Sequence, residues 1–205
     1  MTVTAESPKR KFIHCALRLF AERGYFGVSL ADVAGELGLT KQSIIYHFKT
    51  KDALYGAVIA DIAQRLEATI DDVFAQAPDA RAQLEAYLRK LGQHMLDHPR
   101  DARLITRELL DNLDRAQADN TWYMRRFLDQ SVAIVAAHPN WTSKTPAVQA
   151  AITYQLIGAV CYFSISDPTL NAIWGRARVS EMTEVFVPSL LDLVEGEKRE
   201  HLPSK

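Results

Sequence analysis

The sequence predicts an all-α protein, and three observations carry that expectation. Apolar residues recur at three- and four-residue intervals along most of its 205 positions. Helix formers such as Ala, Leu, Glu, Arg and Gln are plentiful, whereas glycine occurs nine times and proline eight. No alternating run of β-branched residues marks a strand. Hydrophobic content of 48% with 24% charge is that of a folded globular chain and excludes a disordered one.

The first helix is expected to start at Pro8, a residue suited to a first turn. Phe12, Ile13, Ala16, Leu17 and Phe20 form its buried stripe, with Lys9, Arg10, Lys11 and Arg18 largely outside it. Gly24 stops it. Ser29 then opens a second helix, and Asp32 three residues on makes an acidic variant of the capping box. Leu30, Val33, Ala34 and Leu37 are its buried face, and Gly38 ends it. Thr40 caps a third helix that buries Ile44, Ile45 and Phe48, and Thr50 caps a fourth that runs to about Gln76.

Further helices are expected over about 79–98, 100–112, 115–138, 146–166 and 180–195, with breaks at Pro78, Pro99, Pro139 and Pro146. The stretch SDPTLNAIWGRARVS reads as a loop between the last two, and EGEKREHLPSK as a charged, frayed tail.

Charge is divided unevenly. Residues 1–55 hold eight basic against five acidic side chains, a net +3, while the remainder carries −4. A basic head on an acidic body suggests that only the head meets a polyanion. Cys15 and Cys161 lie far apart without metal-site spacing, which argues against disulfides or zinc and for a reducing, cytoplasmic setting. The first residues, MTVTAESPKRK, contain no secretory h-region. Thr145–Ser166 is free of charge, but its polar residues and short apolar centre, LIGAVCYF, point to a helix buried between protein surfaces and not to a membrane span.

The chemistry concentrates in the first quarter. The pair of helices at 30–37 and 41–48 has helix-turn-helix character: Ala34 is small at the crossing, Gly38 permits the turn, and Val33 and Ile44 face a shared core. That leaves Thr40, Lys41, Gln42, Ser43 and Tyr46 on the leading end and outer face of the second helix, the part of such a unit that enters the major groove. Lys41 and Gln42 carry donors suited to guanine and adenine edges. Ser29, Thr40, Tyr46, His47 and Lys51 offer hydroxyl, imidazole or ammonium groups for phosphates. The bland reading is that these residues merely solvate a three-helix corner.

The segments LFAERGYFGVSL and ADVAGELGLTKQSIIYHFKTKDAL resemble the N-terminal domain of TetR-family transcriptional regulators. The resemblance rests on an aromatic-Gly pair after helix one, Ala then Gly in the helix-turn-helix, and the aromatic-Phe-Lys-x-Lys-acid-x-Leu run into helix four. It covers about a quarter of the chain. Where the family usually has an aromatic, this sequence has Ile45, followed by Tyr46. The resemblance implies a DNA-binding domain over 1–52 and a helical effector-binding and dimerisation domain over 53–205. It also implies a repressor released from a palindromic operator by a small-molecule ligand.

One recognition helix covers too few base pairs to single out a genomic site, so a two-fold homodimer on double-stranded operator DNA is expected. The helices at about 146–166 and 180–195 are the best interface, since both are more apolar than one-sided burial requires. Arg107, Trp122, Tyr123, Arg126, Tyr154 and Tyr162 supply the aromatic walls and polar groups of a candidate effector pocket, and equally those of an ordinary bundle.

His94 and His98 share a helix face beside Asp97, a spacing compatible with a metal, but their place in a last helical turn accounts for them without one. No metal site or cofactor is therefore assigned. No phosphate-binding glycine loop, nucleophile elbow or H-E-x-x-H motif is present, so no catalytic residue and no enzymatic activity are expected. Two rivals are a repressor without an effector and a helical cofactor- or metal-binding bundle or enzyme whose DNA-binding head is vestigial.

Overall fold

The computed structural model describes residues 7–111 and 122–196, and among them every regular element is helical. In chain order these are α1 (Pro8–Arg23), α2 (Leu30–Glu36), α3 (Lys41–His47), α4 (Lys51–Gln76), α5 (Ala80–Asp97), α6 (Pro99–Asp111), α7 (Arg125–Ala137), α8 (Pro146–Trp174) and α9 (Arg176–Glu195).

Capping chemistry sets the starts of the head helices. Ser7 accepts from the Arg10 N–H, Thr40 from Ser43 and Thr50 from Ala53, so each helix opens with a donor satisfied that would otherwise be orphaned. At α2 the capping box closes in both directions: the Asp32 N–H donates to Ser29 Oγ, and the Ser29 N–H donates to Asp32 Oδ2 at 2.8 Å. Gly38, with φ +66°, takes the left-handed turn between α2 and α3 that a side chain would strain.

The head is built around Phe12, Ala16, Leu19, Phe20, Val33, Ala34 and Ile44, all at most 1% exposed. Each large member contributes on the order of 1.5–3 kcal/mol by leaving water. This core does not stop at the end of the head. Leu54, Val58, Ile62, Leu66 and Ile70 repeat along α4 and continue it into the body, where Leu84, Leu88, Leu91, Phe127, Ile134 and Val160 belong to the same cluster. α4 packs on α1 at one end and on α5 and α7 along its length, while α6 lies against α1 and α8.

Two buried polar side chains inside the bundle pair with each other. Buried Tyr87 donates to Ser131 Oγ at 2.9 Å, and Ser131 passes the bond to the Phe127 carbonyl. Burial pushes the Tyr87 phenol well above its ordinary range and the Cys161 thiol up to about 11, so both stay neutral.

The C-terminal third departs from expectation. The supposed loop SDPTLNAIWGRARVS is mostly helix: α8 runs through Pro168 to Trp174, and α9 starts at Arg176. A mid-helix proline costs one i−4 hydrogen bond. The turns on either side carry side-chain bonds to the backbone, with Ser164 donating to the Cys161 carbonyl, Ser166 to Tyr162 and the Asn171 amide to Asp167. The break falls instead at Gly175, whose φ of +81° lets the chain reverse within one residue. Pro188 is likewise carried inside α9. The part of the expected 115–138 helix before residue 122, and the tail beyond Gly196, lie outside the described residues.

Candidate nucleic-acid interface

α2 and α3 stand on α1 with their apolar sides inward, and this leaves a polar outer surface on α3. Ile44 and Phe48 are buried, Lys41 and Gln42 are exposed, and Tyr46 projects with 85% of its surface in solvent. Lys41 and Gln42 occupy the first turn of α3, directly after its cap, so their side chains leave the helix at its leading end. Ile45, expected on the buried face of α3, is instead exposed at 40%, next to the still more exposed Tyr46.

The eight residues expected to meet DNA all lie on the α1–α2 junction, α3 or the start of α4, but they do different work. Ser29 and Thr40 are committed to helix starts, and Ser43 meets the Thr40 hydroxyl at 3.1 Å. His47 is half-buried, with its ring 5.8 Å from Phe12 and 5.1 Å from Tyr46. Lys41, Gln42 and Tyr46 keep their polar ends in solvent. Lys51, the first residue of α4, lies with its ammonium 4.1 Å from the centre of the Tyr25 ring.

Electrostatics sharpens the distinction. Arg18 and Arg23 of α1 share Glu36 at the end of α2 and so pin two helices together. Hydrogen bonds from the Ser29 hydroxyl and backbone N–H hold the Asp32 carboxyl below the usual carboxylate range, which keeps the capping box ionised and intact. Lys41, Lys49 and Lys51, like Lys9, Arg10 and Lys11 of α1, form no salt bridge among the described residues and leave positive charge to face a polyanion.

Residues 12–58, from α1 into α4, match the family model described as bacterial regulatory proteins, tetR family. The first quarter of the chain is therefore similar to the N-terminal domain of that family. Over 174 residues it is 23% identical to the HTH-type transcriptional regulator RutR of Escherichia coli K12, covering 85% of this chain and 82% of RutR. Over 47 residues it is 43% identical to the negative transcriptional regulator IcaR of Staphylococcus aureus strain Newman, covering 23% of this chain and 25% of IcaR. The solved structure of the fatty acid degradation regulator FadR from Bacillus halodurans superposes with a TM-score of 0.73 at 14% identity, over 97% of this chain and all of that one, and so shares the fold. The chain thus carries a helix-turn-helix head like that of bacterial regulatory proteins of the tetR family.

The residues expected to line an effector pocket are not brought to one place. Arg107 on α6 reaches the head–body joint, where its guanidinium lies 3.1 Å from the position a Cβ would take at Gly24. Tyr123 lays its hydroxyl against Gly56 of α4, so closely that a Cβ there would be 2.4 Å away. Arg126 is largely exposed and faces Glu67 and Asp71 of α4 at 3.6 and 3.8 Å. Trp122 is exposed just ahead of α7. Tyr154 and Tyr162 stand on the outer face of α8, 58% and 73% exposed. A separate void of about 10 Å³ lies between α5, α8 and α9, lined by Gly92, Val160, Phe163 and Phe186 among others, and none of the six lines it.

The histidine pair has a structural explanation. His94 Nε2 sits 2.9 Å from Asp101 Oδ2, and Arg65 grips the same carboxylate at 2.5 and 3.1 Å, so three helices meet on one buried Asp. His98 packs on His94 with ring centres 4.8 Å apart. Among the described residues no group of three or more metal-binding side chains gathers. Tyr25 and Phe26, next to Lys51, are given no binding role from the sequence. Their only sequence signal is the aromatic pair in RGYFG, and its meaning depends on Lys51, which is remote in sequence.

Proposed function

We propose that the chain is a homodimeric repressor that holds a palindromic operator through paired α3 helices and releases it when a small molecule enters the helical body. The observation that carries this is the solvent-facing set Lys41, Gln42 and Tyr46 on a head whose core runs unbroken along α4 into the body. In this reading residues 1–52 form the DNA-binding unit and 53–205 the effector and dimer unit, acting in the cytoplasm.

Support for the dimer comes from the outer faces of α8 and α9, which expose Tyr154, Tyr162, Ile173, Val185 and Leu193. α8 is long and apolar enough by composition to cross a membrane, but one face carrying Leu156, Ile157, Val160 and Cys161 is already buried in the bundle. A second subunit laid against the opposite face covers it without a bilayer.

Release follows from the linkage of head and body. α4 belongs to both, and α6 touches α1, so a ligand that prefers a different tilt of α4 changes the separation of the two heads. They then no longer match successive major grooves about 34–36 Å apart. The ligand must favour one state over the other, since equal affinity shifts nothing. The alternative of a cofactor-binding bundle or enzyme with a vestigial head is not favoured, because the head matches the family and keeps its polar face in solvent.

The test is selection of duplexes from a random-sequence pool by the purified protein. The expected result is an inverted repeat with half-sites about one helical turn apart, bound by two chains. A pool that stays unenriched at moderate salt overturns the reading. A thermal-shift screen of metabolites then identifies compounds that both stabilise the protein and release the selected duplex.

A further inference from the structure

Lys51 is held by rings, not by a carboxylate. Its ammonium lies 4.1 Å from the centre of the Tyr25 ring and 6.0 Å from that of Phe26, and among the described residues it forms no salt bridge. Tyr25 is fixed in turn. Its ring stands edge-on to Phe26 at 5.3 Å and to buried Tyr55 at 5.2 Å, and its hydroxyl donates to Asp52 Oδ1 at 2.5 Å. Phe26 is 83% exposed, so its place beside the ammonium is not a matter of core packing.

The choice of partner has an electrostatic consequence. An aromatic face attracts a cation through its quadrupole but carries no net charge. A carboxylate would localise the lysine and cancel its field, whereas a ring localises it and leaves the field intact for a polyanion. The carboxylate most available in sequence, Asp52, is engaged by the Tyr25 hydroxyl. Restricting a flexible lysine before the complex forms also lowers the entropy lost on binding.

We infer that Tyr25 and Phe26 are positioning residues for DNA binding, their rings presenting the Lys51 ammonium, held in no salt bridge among the described residues, to a phosphate of the duplex backbone. The inference rests on the DNA-binding reading of α3 and on the expected phosphate contact of Lys51, and adds the two residues that set this lysine in place. The N–H groups at the start of α4 favour an anion at the same end.

The experiment measures affinity for the selected duplex as a function of salt, for the wild type and for Lys51→Gln, Tyr25→Phe, Tyr25→Leu, Phe26→Ala and the double variant Phe26→Ala/Lys51→Gln. Losing one phosphate contact lowers the slope of log affinity against log salt by about 0.9 in magnitude. Lys51→Gln is expected to show that drop. Tyr25→Leu and Phe26→Ala are expected to show part of it, and the double variant to bind no more weakly than Lys51→Gln alone. Tyr25→Phe keeps the ring and is expected to keep the wild-type slope.

Wild-type slopes in Tyr25→Leu and Phe26→Ala overturn the inference, as does a Phe26→Ala loss that adds in full to that of Lys51→Gln. A Tyr25→Phe variant as weak as Lys51→Gln also overturns it, by assigning the effect to the hydroxyl and Asp52. Should Tyr25→Leu fail to fold, the exposed Phe26 and the conservative Tyr25→Phe still decide. If Lys51→Gln keeps the wild-type slope while Lys41→Ala loses base preference, the inference is wrong and the DNA-binding reading stands. If the wild type enriches no duplex, both fall.

Discussion

The Tyr55 hydroxyl on α4 donates a 2.6 Å hydrogen bond to Oε2 of Glu108 on α6. Tyr55 is buried among the head aromatics, with Phe20 at 5.0 Å and Tyr25 at 5.2 Å, so this bond ties the core of the head to a helix of the body. Tyr55→Phe removes it without changing the ring and is expected to cost about 0.5–1.5 kcal/mol. Each kcal/mol lowers the melting temperature of a chain this size by roughly 2–4 °C. Glu108→Gln combined with Tyr55→Phe should cost clearly less than the two losses added together. Strict additivity in denaturant melts would mean that the two residues do not act as a pair.

Lys41 and Gln42 are expected to govern which bases are preferred. Changing either to Ala should cost about 1–3 kcal/mol of discrimination at one position of the half-site. Both side chains are exposed, so the melting temperature should stay near the wild-type value. Ser29→Ala gives the contrasting pattern: it removes the capping box, costs about 1 kcal/mol of stability and weakens all sequences alike. Binding assays on a panel of single-base variants of the selected duplex separate the two classes.

Asp101 predicts an acid limb in the stability curve. Burial pushes its carboxyl up, but the hydrogen bonds from His94 and Arg65, with the charge of Arg65, outweigh burial and leave it below the ordinary carboxylate value. A carboxyl lowered in the folded state stabilises above its unfolded pKa of about 3.9, and that contribution is lost as pH falls through the folded value. Asp101→Asn is therefore expected to cost about 2 kcal/mol near pH 7 and progressively less below pH 4. Equal destabilisation at pH 7 and pH 3 in urea melts would contradict it.

The outer faces of α8 and α9 are expected to become charged obstacles when Val185 or Tyr162 is changed to Glu. Both residues are exposed in the single chain, at 54% and 73%, so the fold should survive while the dimer does not. Sedimentation velocity should show monomers at concentrations where the wild type is dimeric, and affinity for the palindrome should fall by at least tenfold. A dimer of wild-type strength in both variants would move the interface elsewhere.

The head was readable because its information is local. Ser29 with Asp32, Gly38 and Thr40 declare each boundary within three or four residues, and the stripe from Phe12 to Phe20 gives the buried face only in part, since Ile13 and Leu17 are half-buried and the core takes Cys15 and Leu19 instead. The extension of α8 was hidden for the opposite reason. Asp167-Pro168 reads as a break, and only the folded chain shows α8 continuing through it to Trp174, with the sharp turn deferred to Gly175. The mixture of aromatic and charged residues from Arg107 to Tyr162 suggested a pocket because composition carries no direction. Tyr123 turns to α4, Arg126 to Glu67, and Tyr162 to the outside. The contact of Lys51 with Tyr25 is likewise spatial, made across α2 and α3, and no spacing rule encodes it.

Hydroxyl-radical footprinting on the selected duplex tests most directly whether α3 reads DNA from a symmetric pair of subunits. The account predicts two equal protected patches on one face of the duplex, centred about one helical turn apart, and their joint loss in the Val185→Glu variant. A single protected patch occupied by one chain, or protection unchanged when Lys41 and Gln42 are both replaced by Ala, would contradict it.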